Sequence, residues 1–288
     1  MAKGEKYWLG HASEEVQRLA EQHFLWTKAI GYLIHPSIAA TLPPNARIAD
    51  LGCGTGIWLV ETSKSSPSTY TFAGFDATSS GFPPSDHIPS NVHLQLGDFK
   101  SPFPEHLHGQ YDMLNIRLVV LAMGADVWQH TLRNMLTLLK PGGAIQWTEG
   151  DFITSRGYRG TAVGSTSGAA LTRMQQMMVS TMKKRFAYNF PDLATVFEEE
   201  GLKGVEEDVV SSDRVVEVRT EMTSCAIGAV AGMLANLAET LGTKGEEVDG
   251  FWSTEEVALW KERAERDVES GAYLRWDIHV WIGFTPAA

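Results

Sequence analysis

Cysteine is scarce in this chain of 288 residues: Cys53 and Cys225 stand alone. Two thiols do not make a disulfide framework, so a reducing, cytoplasmic setting is expected. Basic residues are outnumbered, with 24 Lys and Arg against 35 Asp and Glu and a formal charge of −11. No Lys/Arg cluster stands out, and a nucleic-acid partner would need a concentrated positive face. No uninterrupted apolar run of about 18 residues occurs, which argues against membrane insertion. The amino terminus lacks the charged, apolar, small-residue order of a secretory leader. Nine histidines are present, yet none falls into H-E-x-x-H or a Cys/His spacing suited to zinc, so no metal is expected. Internal repeats and long low-complexity tracts are absent as well. What remains is the profile of an acidic globular protein, long enough to bury a substantial core. Oligomeric state leaves no mark in the sequence.

The most informative stretch is Ile48-Ala49-Asp50-Leu51-Gly52-Cys53-Gly54-Thr55-Gly56-Ile57-Trp58. A short apolar run ends in an acid, three glycines alternate, and an apolar pattern resumes: a strand, a tight turn and a helix. Without Cβ atoms, the turn lets a ligand lie against its backbone N–H groups. The spacing is G-x-G-x-G and not the G-x-G-x-x-G of pyrophosphate-binding folds, and no Lys-Ser/Thr follows as a triphosphate loop requires. Asp50 would repel a phosphate but suits a ligand with a cationic amino group beside the turn.

Further landmarks follow in order. Phe72-Ala73-Gly74-Phe75-Asp76 is a strand ending in an acid. Asn91 to Phe99 is a strand closing in Gly97-Asp98-Phe99, and Tyr111 to Arg117 is another. Leu138-Leu139-Lys140-Pro141-Gly142-Gly143 is a turn leading into Ala144-Ile145-Gln146-Trp147. The helix before that turn carries Trp128, Leu132, Met135, Leu136 and Leu139 on one side. Alternating strands and helices demand a parallel sheet with helices on both faces. The final segment alternates Leu274, Trp276, Ile278, Val280, Ile282 and Phe284 with Tyr273, Arg275, Asp277, His279 and Trp281, the period of a strand with one covered face. Residues 13 to 33 repeat apolar positions at helical spacing behind Glu14 and Glu15. Gly/Ser-rich residues 155 to 168 read as a loop, and helical stretches near 169 to 187, 221 to 241 and 253 to 270 exceed what such a sheet needs.

The motif from Asp50 to Gly56 resembles the first motif of class I S-adenosylmethionine-dependent methyltransferases, and the later landmarks resemble that family's in order, over roughly residues 46 to 152. Tyr7-Trp8-Leu9-Gly10, Arg18-Leu19 with Gln22, His35-Pro36-Ser37-Ile38 and Gly56-Ile57-Trp58 are similar to the fungal branch. That branch contains tailoring methyltransferases of secondary metabolism and the velvet-associated regulator. The resemblance implies a Rossmann-like α/β fold: a seven-stranded, mostly parallel sheet with an antiparallel last strand, an N-terminal helix and helical cap insertions. It implies an N-terminal helical lid over residues 1–45 and a methyltransferase domain over 46–288, with cap elements within about 155–190 and 221–270. The implied cofactor is S-adenosylmethionine, held by Asp50, Gly52, Gly54, Gly56, Asp76, Asp98, Phe99, Asn115 and Arg117. Asp76 takes the ribose hydroxyls, Asp98 and Phe99 the adenine, and Arg117 the cofactor's carboxylate end.

The implied acceptor is a small, largely apolar metabolite methylated on O, N or S. Tyr7, Gln22, Trp26, Trp147 and Met178 are its expected contacts. A Met stripe at Met174, Met177, Met178 and Met182 suits either a helix core or an adaptable pocket wall. Glu149 and Asp151, beyond the fifth strand, read equally as solvated loop acids or as functional groups. No catalytic base is legible; His23 is the one weak candidate. Two other functions share these motifs: a methyltransferase fold turned to another reaction such as a cyclisation, and a regulator acting through protein partners.

Overall fold

The computed structural model describes residues 13–123, 128–160, 167–185, 192–242 and 253–288. Tyr7 and Trp8, expected in a lid, lie outside the described residues. The elements in order are α1 (Ser13–Ile30), α2 (Pro36–Ala39), β1 (Arg47–Leu51), α3 (Ile57–Ser65), β2 (Thr71–Asp76), β3 (Val92–Leu96) and β4 (Tyr111–Arg117). There follow α4 (Trp128–Leu136), β5 (Leu139–Arg159), α5 (Ala169–Arg185), α6 (Leu193–Glu199), β6 (Lys203–Ser211), α7 (Arg219–Gly242), α8 (Thr254–Glu269) and β7 (Ala272–Phe284).

The strands form the expected seven-stranded sheet in the order β3-β2-β1-β4-β5-β7-β6. The first five run parallel, with Asp50 opposite Gly74 on one side and Asn115 on the other, and Asn115 opposite Gln146. Thr285 N–H donates to Gly143 O while Gly160 N–H donates to Gly271 O, so β7 runs antiparallel to β5. The order reverses between β1 and β4, and in open α/β sheets a ligand crevice forms at such a switch point, outside the carboxyl ends of the strands.

The chain divides into two compact units. The sheet-bearing unit holds residues 30–150, 189–210 and 278–288. Its core has two layers. Leu51, Phe75, Leu114, Ile116, Met135, Ile145, Trp147 and Phe197 pack together, and Ile48, Trp58, Leu59, Phe72 and Met113 form the second cluster. The helical unit holds residues 1–29, 151–188 and 211–277, where α7 packs on α8 and α5. In this division residues 13–29 of α1 group with the later helices, and Ile30 onward groups with the sheet.

Several boundaries differ from the sequence reading. Residues 155–159, expected in a loop, extend β5; the Gly/Ser bias of the stretch is weak here, with one Ser and one Gly in Ser155-Arg156-Gly157-Tyr158-Arg159. Residues 161–166 of the same expected loop lie outside the described residues. Strand β6 was not visible in the sequence, because as an edge strand it carries Glu206, Glu207 and Asp208 and little apolar alternation. One helix among the described residues, Val216–Thr240, is long and apolar enough to cross a membrane, and half of its most apolar window is buried within the protein.

Candidate functional site

At the carboxyl end of β1 the chain turns through Gly52 at φ 73° and Gly54 at φ 55°, a left-handed backbone that glycine adopts without strain. The two glycines do different work. A Cβ on Gly52 would lie 2.9 Å from Val119 Cγ1 and 3.3 Å from Phe99 Cε1, whereas one on Gly54 would meet nothing within 4 Å. Gly54 thus opens onto free space, the cradle a ligand needs, while Gly52 is pressed between two side chains. The Gly56 position is different again: a Cβ there would strike Leu94 Cδ1 at 2.9 Å, so this third glycine serves packing against β3.

Asp76, at the end of β2, faces the loop. Its Oδ2 accepts the Gly54 N–H at 2.9 Å and its Oδ1 accepts the Thr78 N–H at 3.1 Å. Gly97 N–H donates to Asp76 O, which brings Asp98 and Phe99 beside it. Asp98 Oδ1 caps the backbone N–H of Lys100 at 2.9 Å. Phe99 is buried, and Asn134 Nδ2 from α4 fixes its carbonyl at 2.7 Å.

Asp50 is buried and accepts Asn115 Nδ2 at 2.7 Å. Burial pushes its carboxyl up to about 7 against the opposing effects of the Asn115 bond and the Arg117 charge, with Asp76 adding to the rise. Burial in turn lowers Arg117, and the Asp50 charge resists it. A buried acid held this high is short of positive charge, so the site is suited to a cationic group. Asn115 itself is committed within the sheet: its Oδ1 accepts Gln146 Nε2 at 3.1 Å. Gln146 also donates to Leu33 O at 2.9 Å and accepts the His35 N–H at 2.7 Å. Asp50, Asn115 and Gln146 thus form a buried chain across β1, β4 and β5 to the segment after α1.

After Arg117 the backbone reverses at Leu118, whose φ of 57° is the left-handed value that a branched side chain adopts only under constraint. Val119 and Glu149 follow from that corner. Glu149 is fully buried; its Oε1 accepts the Val119 N–H at 2.9 Å and Trp147 Nε1 at 3.0 Å. No hydrogen bond to its Oε2 is found among the described residues, and burial pushes the carboxyl up to about 7 against the bonds from Trp147 and from the Val119 and Val120 backbone. The reading of Glu149 as a solvated loop acid is thereby corrected.

Two expected acceptor contacts lie in interiors. Trp147 is 0% exposed, within the core of the sheet-bearing unit and 5.6 Å from the Trp128 ring. Met178 is buried with Met174, Met177 and Met182, so the stripe is the core face of α5. In the helical unit Trp26 is also buried, in a cluster with Phe152 and Trp276 at centroid distances of 6.3 and 6.4 Å. His23 is buried there and Gln22 half-buried. Sequence reasoning missed Val119 and Gln146. Polar Gln146 inside the apolar run Ala144 to Trp147, level with Asn115 inside Met113 to Ile116, was the available signal, because a polar group in a sheet interior must find a partner.

Comparison with known proteins identifies the family. A family model described as a methyltransferase domain matches residues 25–207. Methyltransferase grgD of a Penicillium species is 28% identical over 96% of this chain and 95% of its own length. N-methyltransferase tcpN of Claviceps purpurea is 31% identical, over 50% of this chain and 51% of that protein, so the match spans about half of each. The secondary metabolism regulator laeA of Aspergillus niger is 28% identical over 68% of this chain and 50% of its own. Among solved structures, a putative methyltransferase in complex with the Haloferax volcanii Trm112 activator superposes with a TM-score of 0.52 at 15% identity, over 99% and 100% of the two chains. This likeness shows the fold. With the family model covering more than half of its length, the chain belongs to the methyltransferase-domain family, whose activity is methyl transfer with S-adenosylmethionine.

Proposed function

We propose that the protein transfers a methyl group from S-adenosylmethionine to an O, N or S atom of a small, largely apolar metabolite in fungal secondary metabolism. The observation that carries this reading is the convergence of Asp50, the open Gly54 cradle and Asp76 at the switch point of the sheet. These residues fit the cofactor's parts. Buried Asp50 suits its ammonium group, Asp76 has acceptor capacity for a ribose diol, and Phe99 with Val119 offers apolar surface beside the loop for an adenine. Asp98, Gly52, Gly56, Asn115 and Arg117 support the site, Asn115 by orienting Asp50 through its side chain.

The bound cofactor supplies a methyl group already activated by a sulfonium. The chain has then to hold that group in line with the acceptor atom and to exclude water. Fungal relatives named as methyltransferases support the same chemistry. Among the described residues no group of His, Cys, Asp and Glu could hold a metal ion.

The test is a reaction of the protein with S-adenosylmethionine and a panel of aromatic and heterocyclic metabolites, followed by mass spectrometry. A product heavier by one methyl group, with release of S-adenosylhomocysteine, supports the reading. Conversion of a metabolite without that mass gain would reassign the protein to another reaction on the same fold.

A further inference from the structure

Val119 stands beside the glycine loop, where a Cβ added to Gly52 would lie 2.9 Å from its Cγ1, and the backbone of that same Val119 is held by Glu149. We infer that Glu149 is a positioning residue for the cofactor: its buried carboxylate pins the strained Leu118–Val119 corner, and Val119 in turn sets the wall on which the Gly52 turn rests. This inference rests on the cofactor lying at the glycine loop.

Three observations lead to it independently. Leu118 is the only non-glycine residue with positive φ among the described residues. A residue in that region is strained and persists where its surroundings over-determine it. Here the restraints are visible: Leu118 N–H donates to Thr148 O, and the next N–H donates to Glu149 Oε1. Second, a fully buried carboxylate with one oxygen unpartnered is costly, and a fold keeps such a group where its placement serves something else. Third, Trp147 Nε1 donates to the same Oε1, so the acid is aimed by an indole that is itself locked in the core. Glu149 is sealed from solvent and from any bound metabolite, which makes its action indirect.

The test compares Glu149→Gln with Glu149→Met in the full chain, by calorimetric affinity for S-adenosylhomocysteine and by the split between kcat and the KM for S-adenosylmethionine. Gln keeps an acceptor oxygen for Val119 and Trp147; Met fills the space and offers none. Glu149→Met should weaken cofactor binding by about tenfold or more, the scale of an orphaned buried donor, and raise the cofactor KM more than it lowers kcat. Glu149→Gln should stay close to wild type. Wild-type affinity in folded Glu149→Met overturns the inference, and so does equal loss in both variants, since the acceptor oxygen would then not be what matters.

Should Glu149→Met not fold, Val119→Ala carries the test, because it retains the backbone bond and removes the Cγ1 wall; unchanged affinity there is equally fatal. Asp76→Ala is run alongside. If it too binds the cofactor normally, the placement of the cofactor has failed. If it binds weakly while Glu149→Met binds normally, the role of Glu149 has failed.

Discussion

Gln146 and Asn115 face each other across β5 and β4 and share a hydrogen bond of 3.1 Å, so that the amide orienting Asp50 is itself oriented from the next strand. The same Gln146 holds Leu33 O and the His35 N–H. Removing its side chain leaves three buried groups short of a partner. Gln146→Leu should therefore cost about 3 kcal/mol or more, at 1 to 3 kcal/mol for each orphaned group. Chemical denaturation gives the size of the loss, and hydrogen exchange gives its place. The His35 amide should lose protection in the variant, and retained protection there would show that the bond is dispensable.

Asp76 is only half-buried and bonds backbone N–H groups that water can serve instead. Asp76→Ala should cost little in thermal stability but weaken S-adenosylmethionine binding by about 1.5 to 3 kcal/mol, the range for hydrogen bonds to a charged group. Calorimetry separates the two effects, and affinity unchanged by the substitution would remove Asp76 from the site.

The glycines should separate in the same way. Gly54→Ala places a methyl group in open space, so the folded protein bears only the left-handed backbone cost of about 1 to 2 kcal/mol while the cradle is partly filled. Gly52→Ala adds a clash with Val119 at 2.9 Å on top of that cost. Melting temperature should therefore fall further for Gly52→Ala. Cofactor affinity per folded molecule should fall for Gly54→Ala, and equal melting temperatures would contradict the division of labour.

Much of the sheet was legible because its signals are local. Strand β4 reads directly from Tyr111 to Arg117, and β7 from its alternation, since burial on alternate faces leaves a period of two. The glycine loop was legible because a turn at positive φ admits few residue types. What the sequence concealed depends on distance in the chain. Nothing near Val119 reveals that it stands beside Gly52, and nothing near Glu149 reveals that this strand acid is sealed in the core. The burial of Trp147 and Met178 was hidden for a related reason: large apolar side chains carry the same signature whether they line a pocket or fill an interior, and only packing distinguishes the two.

The burial of Trp147 makes its own prediction. Trp147→Ala would empty a core site and orphan one bond of Glu149, so a loss of about 3 to 5 kcal/mol is expected. Turnover of an acceptor per folded molecule should show no rise in acceptor KM. A higher acceptor KM at unchanged stability would return Trp147 to the substrate pocket.

Asp50 and Glu149 set an unusual pH dependence. Both carboxyls are pushed up to about 7 by burial, while in the unfolded chain they titrate near about 4. Between those values the native state binds protons that the unfolded state has released, so stability falls as pH rises through this window and is recovered on acidification toward about 5. The sign is opposite to that of a carboxylate stabilised by a salt bridge. Urea midpoints at pH 5.5 and 7.5 should differ in favour of the lower pH, and Asp50→Asn should flatten the difference. Cofactor binding should run the other way, because a cationic amino group beside Asp50 favours its ionised form. Affinity should climb between about pH 6 and 7, with protons released on binding, and calorimetry in buffers of different ionisation enthalpy counts them. An affinity independent of pH in that interval, with no proton released, would mean that Asp50 does not face the cofactor's charge.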